Sequence, residues 1–241
     1  MAIQLVALSL RYSSWSMRPW LALTHAGIPF ELRTVELPAL QQQVAGDRID
    51  PRPVDDLAYR KSTGSVTGLY PVLWVDGTPI HESLAICEWV AEQRPEARLW
   101  PSDALARARA RAVSCEMATG FGHLRGELDC HLFGRVRGFV PSEAAARQIR
   151  RVFELFDDCL QRSGGPYLFG HFTIADCMYF PMLTRFVTYG IPLPSSVEPY
   201  AATMWGTPAV GQLLDVARTA PAIAVYDAYV ESLGGDPAAA L

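Results

Sequence analysis

The segment Pro95-Glu-Ala-Arg-Leu-Trp-Pro101 carries no periodicity of its own and separates two kinds of sequence. Before it, short apolar runs of strand character alternate with helical patterns; after it, only helical patterns occur. A chain patterned this way is predicted to fold as an α/β domain over residues 1–94 followed by an all-α domain over residues 102–241. With 241 residues in all, each part is long enough to build a core.

The first part opens on Ile3-Gln-Leu-Val-Ala-Leu8, a strand, then a polar turn holding Ser9, Ser13 and Ser14, then an apolar-periodic helix. Pro19 is harmless in a first turn, where backbone donors have no intrahelical partner, so the helix is predicted to start late with Ser16 as N-cap. Ser13 and Ser14 then sit just ahead of a positive helix end, with hydroxyls able to donate to an anion such as a thiolate. Gly27 ends the helix, and the alternation from Phe30 to Leu37 gives a second strand, completing a βαβ unit. Residues 38–68 are rich in turn formers and charges and read as a long excursion with one short helix near 55–61. Tyr70-Pro-Val-Leu-Trp-Val75 is a strand opened by an X-Pro bond, where a cis peptide is allowed. Asp76-Gly77 turns it into a short return strand. A helix follows over 81–93; Glu82 and Ser83 stand at its start, where free N–H groups favour a bound carboxylate.

In the second part, helices are expected over 103–128, 142–163 with Ser142 as N-cap, 174–189, and in shorter pieces near 196–205, 208–218 and 221–232. Thr173 and Asp176 have capping-box spacing before a stretch that is apolar nearly all round. That helix belongs in the core, and its aspartate is structural.

Composition narrows the function classes. The formal net charge is -4, and the one basic run, Arg107, Arg109 and Arg111, is spread around a helix by its spacing, so nucleic acid is excluded as a partner. No window approaches a membrane span and no secretory leader is present, which points to a cytoplasmic protein without a membrane partner. Five widely spaced cysteines without a C-x-x-C pair read as buried free thiols, and the five histidines show no ligand spacing, so no metal is expected.

Four of these features occur in an order that resembles the cytosolic glutathione S-transferase superfamily over nearly the whole chain. They are Ser13-Ser-Trp-Ser-Met-Arg18, Tyr70-Pro-Val-Leu73, Glu82-Ser-Leu-Ala-Ile86 and Thr173-Ile-Ala-Asp176. The first looks like the motif of serine-type classes, closest to tau and zeta. The resemblance implies a thioredoxin-like N-terminal domain, an all-helical C-terminal domain, glutathione as co-substrate, a detoxification role and a homodimer. It makes Ser13 the catalytic group that contacts the glutathione sulfur, with Ser14 or Tyr12 in reserve. The backbone of Tyr70 and Pro71 would pair with the cysteinyl unit, while Glu82 and Ser83 hold the γ-glutamyl end. Tyr12, Trp15, Met117 and Phe121 are the walls it implies for a small hydrophobic electrophile. Tyr70 stands where valine or isoleucine is usual. The lysine common before the cis-proline is missing from Thr67-Gly-Leu69, leaving Lys61 or an arginine of the excursion to replace it. Two alternatives remain: a ligand-binding or interaction module without turnover, and a maleylacetoacetate-type isomerase, which would want a cysteine where Trp15 stands.

Overall fold

A computed structural model describes residues 1–37 and 57–239. The expectations placed on residues 38–56 lie outside this range. Strands β1 (Ile3–Ala7), β2 (Glu31–Thr34), β3 (Val72–Val75) and β4 (Thr78–His81) form one sheet in the order β2-β1-β3-β4. β1 and β2 are parallel, joined over α1 (Ser14–His25), while β3 and β4 are each antiparallel to their neighbour. This is the thioredoxin-like pattern. The β3–β4 hairpin turns at Asp76 (φ 46) and Gly77 (φ 84), the left-handed pair that an Asp-Gly dipeptide supplies.

Side-chain alternation gives the sheet two faces. Ile3, Leu5 and Ala7 enter the main core under α1 and α3 (Ser83–Gln93), whereas Val6 and Val72 join a smaller cluster with Val35, Leu37 and Tyr70 on the other side. The short helix α2 (Leu57–Ser62) lies by that second cluster: Tyr70 and Trp74 hydrogen-bond to residues 60, 63 and 64.

After a 3₁₀ turn at Pro95–Ala97 come α4 (Ala104–Thr119), α5 (Gly122–Glu127), α6 (Glu143–Ser163), α7 (Ile174–Thr188), α8 (Glu198–Trp205), α9 (Pro208–Arg218) and α10 (Ala224–Ser232). The helix expected over 103–128 is thus two. Gly120 is extended, where a Cβ would stand 2.7 Å from the Glu116 carbonyl oxygen, and Phe121 turns into the left-handed region at φ 62. α6 buries Ala145, Ile149, Val152, Phe156 and Cys159 at helical spacing, with Ser142 capping its start and left-handed Gly164 its end. Every residue of α7 but Val187 is buried. Its capping box is closed: Asp176 accepts from the Thr173 N–H (2.8 Å), the Thr173 hydroxyl (3.0 Å) and the Leu168 N–H (3.1 Å).

The arginines of α4 part company as their spacing requires. Arg109 pairs with Asp158, Arg111 with Glu88, and Arg107 donates to the carbonyls of Pro101 and Ser102. Four cysteines are buried and free; Cys115 is exposed, which corrects the expectation that all five are interior. No helix among the described residues is long and apolar enough to cross a membrane, and no group of three ligand side chains there could hold a metal.

Candidate functional site

Strand register brings the candidate residues to one edge of the sheet. Val6 pairs with Val72, and Val72 pairs with His81, so the loop after β1, the Tyr70-Pro71 step before β3 and the Glu82-Ser83 start of α3 leave from three neighbouring strands at the same end. At about 4.8 Å per strand, the three segments span a width of roughly 10 Å, the reach of an extended tripeptide of about that length. Tyr70-Pro71 is cis. The Tyr70 ring points away into the smaller cluster, where its hydroxyl meets Thr63 Oγ1 and the Arg60 carbonyl, so tyrosine in place of valine puts no bulk above the sheet edge.

Glu82 is exposed and held at φ 67, a conformation that a non-glycine residue adopts at a cost. Ser83 is the first residue of α3 and is buried; its N–H and those of the next residues have no partner within the helix. Lys61 is exposed on α2, and Arg60 is buried beneath, donating to the Gly68 carbonyl at 3.1 Å.

The start of α1 differs from expectation. The cap is Ser13, extended at φ -99 and ψ 96, with its Oγ accepting from the Ser16 N–H at 3.3 Å; the helix begins at Ser14 and carries Pro19 inside it. Ser16 is the third helical residue, fully buried, its Oγ accepting from the Leu8 N–H at 3.1 Å and from the Ser13 hydroxyl at 2.9 Å. Pro19 costs the Trp15 carbonyl one helical hydrogen bond, and the better cap geometry at Ser13 outweighs it. The correction places Ser13 closer to the helix end than the sequence reading did, half-buried at the sheet edge.

The reserve candidates are committed elsewhere. Ser14 is buried and accepts from Arg185 Nη2 at 3.3 Å. The Tyr12 hydroxyl donates to Asp227 Oδ1 at 2.7 Å and accepts from the Ile223 N–H at 3.3 Å, while its ring stacks on Tyr226. Burial, followed by the bond to Asp227, pushes the phenol well above its ordinary value. His131 Nε2 meets the same carboxylate oxygen at 2.8 Å, and Arg11 lies 3.9 Å from it. Helix α10 is thereby fastened over the loop that carries Ser13. Burial lowers the His131 imidazole from its ordinary value, against the opposing pull of the Asp227 carboxylate.

Of the expected walls, Tyr12 is 3% exposed, Met117 0% and Phe121 5%, all placed as core side chains. Trp15 alone of the four keeps part of its surface. The guanidinium groups of Arg18 and Arg125 both lie over its ring, 4.1 and 4.5 Å from the centroid. Arg18 is fully buried, donating from Nε to the Met178 carbonyl at 3.2 Å. Burial first, then the neighbouring Arg125 and Arg185, lowers Arg18 to about 9; burial and Arg185 lower Arg125 to about 10. Three cations therefore gather by the first turn of α1, and they favour negative charge there in the same sense as the helix dipole. The sequence reading missed this cluster. Arg18 follows the serine motif, but Arg125 and Arg185 come from distant helices and only folding brings them in. A cavity of 210 Å³ is lined by Leu10, Thr34, Glu36, Val216, Thr219 and Pro221, none of them a residue of this cluster.

Comparison with known proteins identifies the two domains. The model of the glutathione S-transferase N-terminal domain matches residues 12–93, and that of the C-terminal domain matches residues 102–205. A crystal structure of a glutathione transferase homologue from Burkholderia with bound glutathione is 25% identical and superposes with a TM-score of 0.68, covering 92% of this chain and 100% of that one. A probable maleylacetoacetate isomerase of Caenorhabditis elegans is 28% identical over 71% of this chain and 73% of its own length. The Mus musculus maleylacetoacetate isomerase is 30% identical over 51% of this chain and 56% of its own. The chain belongs to the cytosolic glutathione S-transferase superfamily.

Proposed function

We propose that this chain is a glutathione transferase in which Ser13 activates the glutathione thiol by donating a hydrogen bond to its thiolate, for attack on a small hydrophobic electrophile. A thiol of ordinary pKa, about 8.5, is mostly protonated at pH 7, and lowering it by ~2 units requires about 2.7 kcal/mol of preferential stabilisation of the anion. A hydroxyl donor, the end of α1 and the arginines around Trp15 are together of that order. Ser13 is a donor and not a nucleophile; the thiolate forms the new bond to carbon. The observation that carries this reading is the position of Ser13: it is half-exposed at the N-cap of α1, on the sheet edge it shares with cis-Pro71 and Glu82-Ser83. By this reading the Tyr70-Pro71 backbone pairs with the cysteinyl unit, Glu82 and Ser83 hold the γ-glutamyl end, and Trp15 bounds the electrophile. Catalysis in the cytoplasm by a homodimer fits the family.

The curated relatives support a second reading, a glutathione-dependent isomerase of the maleylacetoacetate type. Trp15 occupies the place where that reading wants a cysteine. Both reactions need the same thiolate, and an isomerase returns its glutathione where a transferase consumes it. The test is Ser13→Ala assayed for glutathione binding, for loss of free thiol and for isomerisation. Retained folding with conjugation slowed at least tenfold, about 1.4 kcal/mol of barrier, is expected. Unchanged turnover overturns the role of Ser13, failure of the wild-type chain to bind glutathione at millimolar concentration overturns the enzyme, and isomerisation without thiol loss selects the second reading.

A further inference from the structure

We infer that Tyr226 is a specificity-determining residue of the electrophile site, donating its phenol hydrogen to an oxygen of the electrophile on which negative charge builds as the sulfur adds. The inference rests on the thiolate chemistry proposed above. Of the nine tyrosines, six bond through their hydroxyls and two, Tyr189 and Tyr200, lie in the core. Tyr226 is half-buried, and its hydroxyl is neither paired with a described residue nor closed off from solvent. A phenol in a partly covered place usually finds a partner on the protein, so this one is left for a group that arrives from outside.

Three observations place it beside the proposed thiolate. Its ring stacks on Tyr12, the residue before Ser13, with 5.1 Å between centroids and 17° between planes. The same side chain packs against the small cluster that contains Tyr70 and Val72, the residues on either side of cis-Pro71. Its phenol also feels the charges of Arg185, which donates to Ser14, and of Arg60, whose carbonyl accepts from Tyr70, so it lies within range of both the serine loop and the cis-proline step. The next residue, Asp227, accepts from Tyr12 at 2.7 Å and meets His131 at 2.8 Å, which fixes the backbone that carries Tyr226. A donor held on both its ring and its backbone needs no rearrangement when charge appears.

Burial, with Asp129 and Cys130 adding to it, pushes the phenol up to about 12 against the pull of Arg185 and Arg60. It therefore keeps its proton throughout the range in which the thiol ionises, and acts as a hydrogen-bond donor only. With a carbon–carbon double bond conjugated to a carbonyl, a sulfur lone pair forms the C–S bond at the β-carbon and the π pair moves to the carbonyl oxygen. That enolate oxygen accepts from the Tyr226 O–H, and water then protonates the α-carbon. With an alkyl halide, the C–S bond forms as the carbon–halogen bond breaks and the electron pair leaves on the halide, so no oxygen of the electrophile becomes charged. Tyr226 then separates the two kinds of electrophile.

The experiment measures conjugation of benzylideneacetone and of benzyl chloride by the wild-type chain and its variants. Tyr226→Phe keeps the ring on Tyr12 and is expected to lower kcat/KM for benzylideneacetone about tenfold, the effect of one hydrogen bond to a charged oxygen. Its rate with benzyl chloride, its KM for glutathione and the pKa of the bound thiol are expected to stay within twofold of wild type. Tyr226→His keeps a flat ring with an N–H donor, is expected to recover part of the benzylideneacetone rate, and serves should the phenylalanine variant fail to fold. Ser13→Ala, by contrast, is expected to slow both electrophiles alike. If Tyr226→Phe slows both equally, or neither, the inference is overturned and the role of Ser13 stands. If Ser13→Ala slows neither, the thiolate reading falls and the role of Tyr226 falls with it.

Discussion

Replacing Asp176 with alanine removes the acceptor for the Thr173 N–H, the Thr173 hydroxyl and the Leu168 N–H at the start of the most buried helix among the described residues. The Thr173 hydroxyl can rotate to another partner. The N–H groups of Thr173 and Leu168 cannot, since both are main-chain donors whose bonds to the carboxylate, 2.8 and 3.1 Å, are buried. Two buried amides left unpaired cost about 1–3 kcal/mol each, so roughly 2–6 kcal/mol in all. Against this, the variant no longer buries a charge; burial pushes the Asp176 carboxyl up to about 6, so keeping it ionised at pH 7 is itself costly. The loss therefore falls in the lower half of the range, at about 3 kcal/mol. In urea unfolding, with a slope of roughly 2–3 kcal/mol per molar for a chain of this size, the midpoint drops by about 1 M with the slope unchanged. Asp176→Asn keeps one carbonyl oxygen and sets an amide N–H₂ against the other donors, so it recovers only part of the loss. A midpoint within 0.3 M of wild type for the alanine variant, or an asparagine variant as stable as wild type, would refute the accounting.

Tyr12→Phe loosens α10 without touching thiol activation: amide exchange over 224–232 is expected to quicken, stability to fall by about 1 kcal/mol and the conjugation rate to stay within twofold. A tenfold fall in rate would instead return the donor role to Tyr12. A thiol reagent added to the native protein is expected to label Cys115 quickly and the other four slowly, since burial pushes Cys87 to about 12 and Cys159 to about 11; Cys115→Ser should abolish the fast phase. Fast labelling that survives this substitution would show that an interior thiol is open to solvent.

What could be read from the sequence was set by local chemistry. Asp76-Gly77, the Ser142 cap with Gly164 beyond the far end, and the Thr173–Asp176 box each decide a structure within a few residues of themselves, and the fold has all three. Ser13, Ser14 and Ser16 were harder to sort. All three are good caps, and Pro19 favours the last of them by a rule about first turns that a buried, well-packed α1 overrides. Met117 and Phe121 show the limit of periodicity, which places a side chain on a helix face without saying whether another helix covers it; here α7 does, with Phe121 against Tyr179. Cys115 lies in α4 with the opposite outcome. The Tyr12–Asp227 bond and the stacking of Arg125 on Trp15 join residues more than 100 positions apart, and no motif records such pairs.

The fastening of Tyr12 by Asp227 spans 215 positions, and Arg11 reaches further, donating to the Pro237 carbonyl at 2.9 Å. A ribosome therefore exposes the serine loop long before it makes the helix that covers it. Until the last tenth of the chain emerges, Tyr12 and Arg11 must find water or a chaperone in place of Asp227. The order of synthesis thus makes the N-terminal domain wait for the C-terminus before its own first loop is finished, and a chain that loses its last twenty residues should present that loop uncovered.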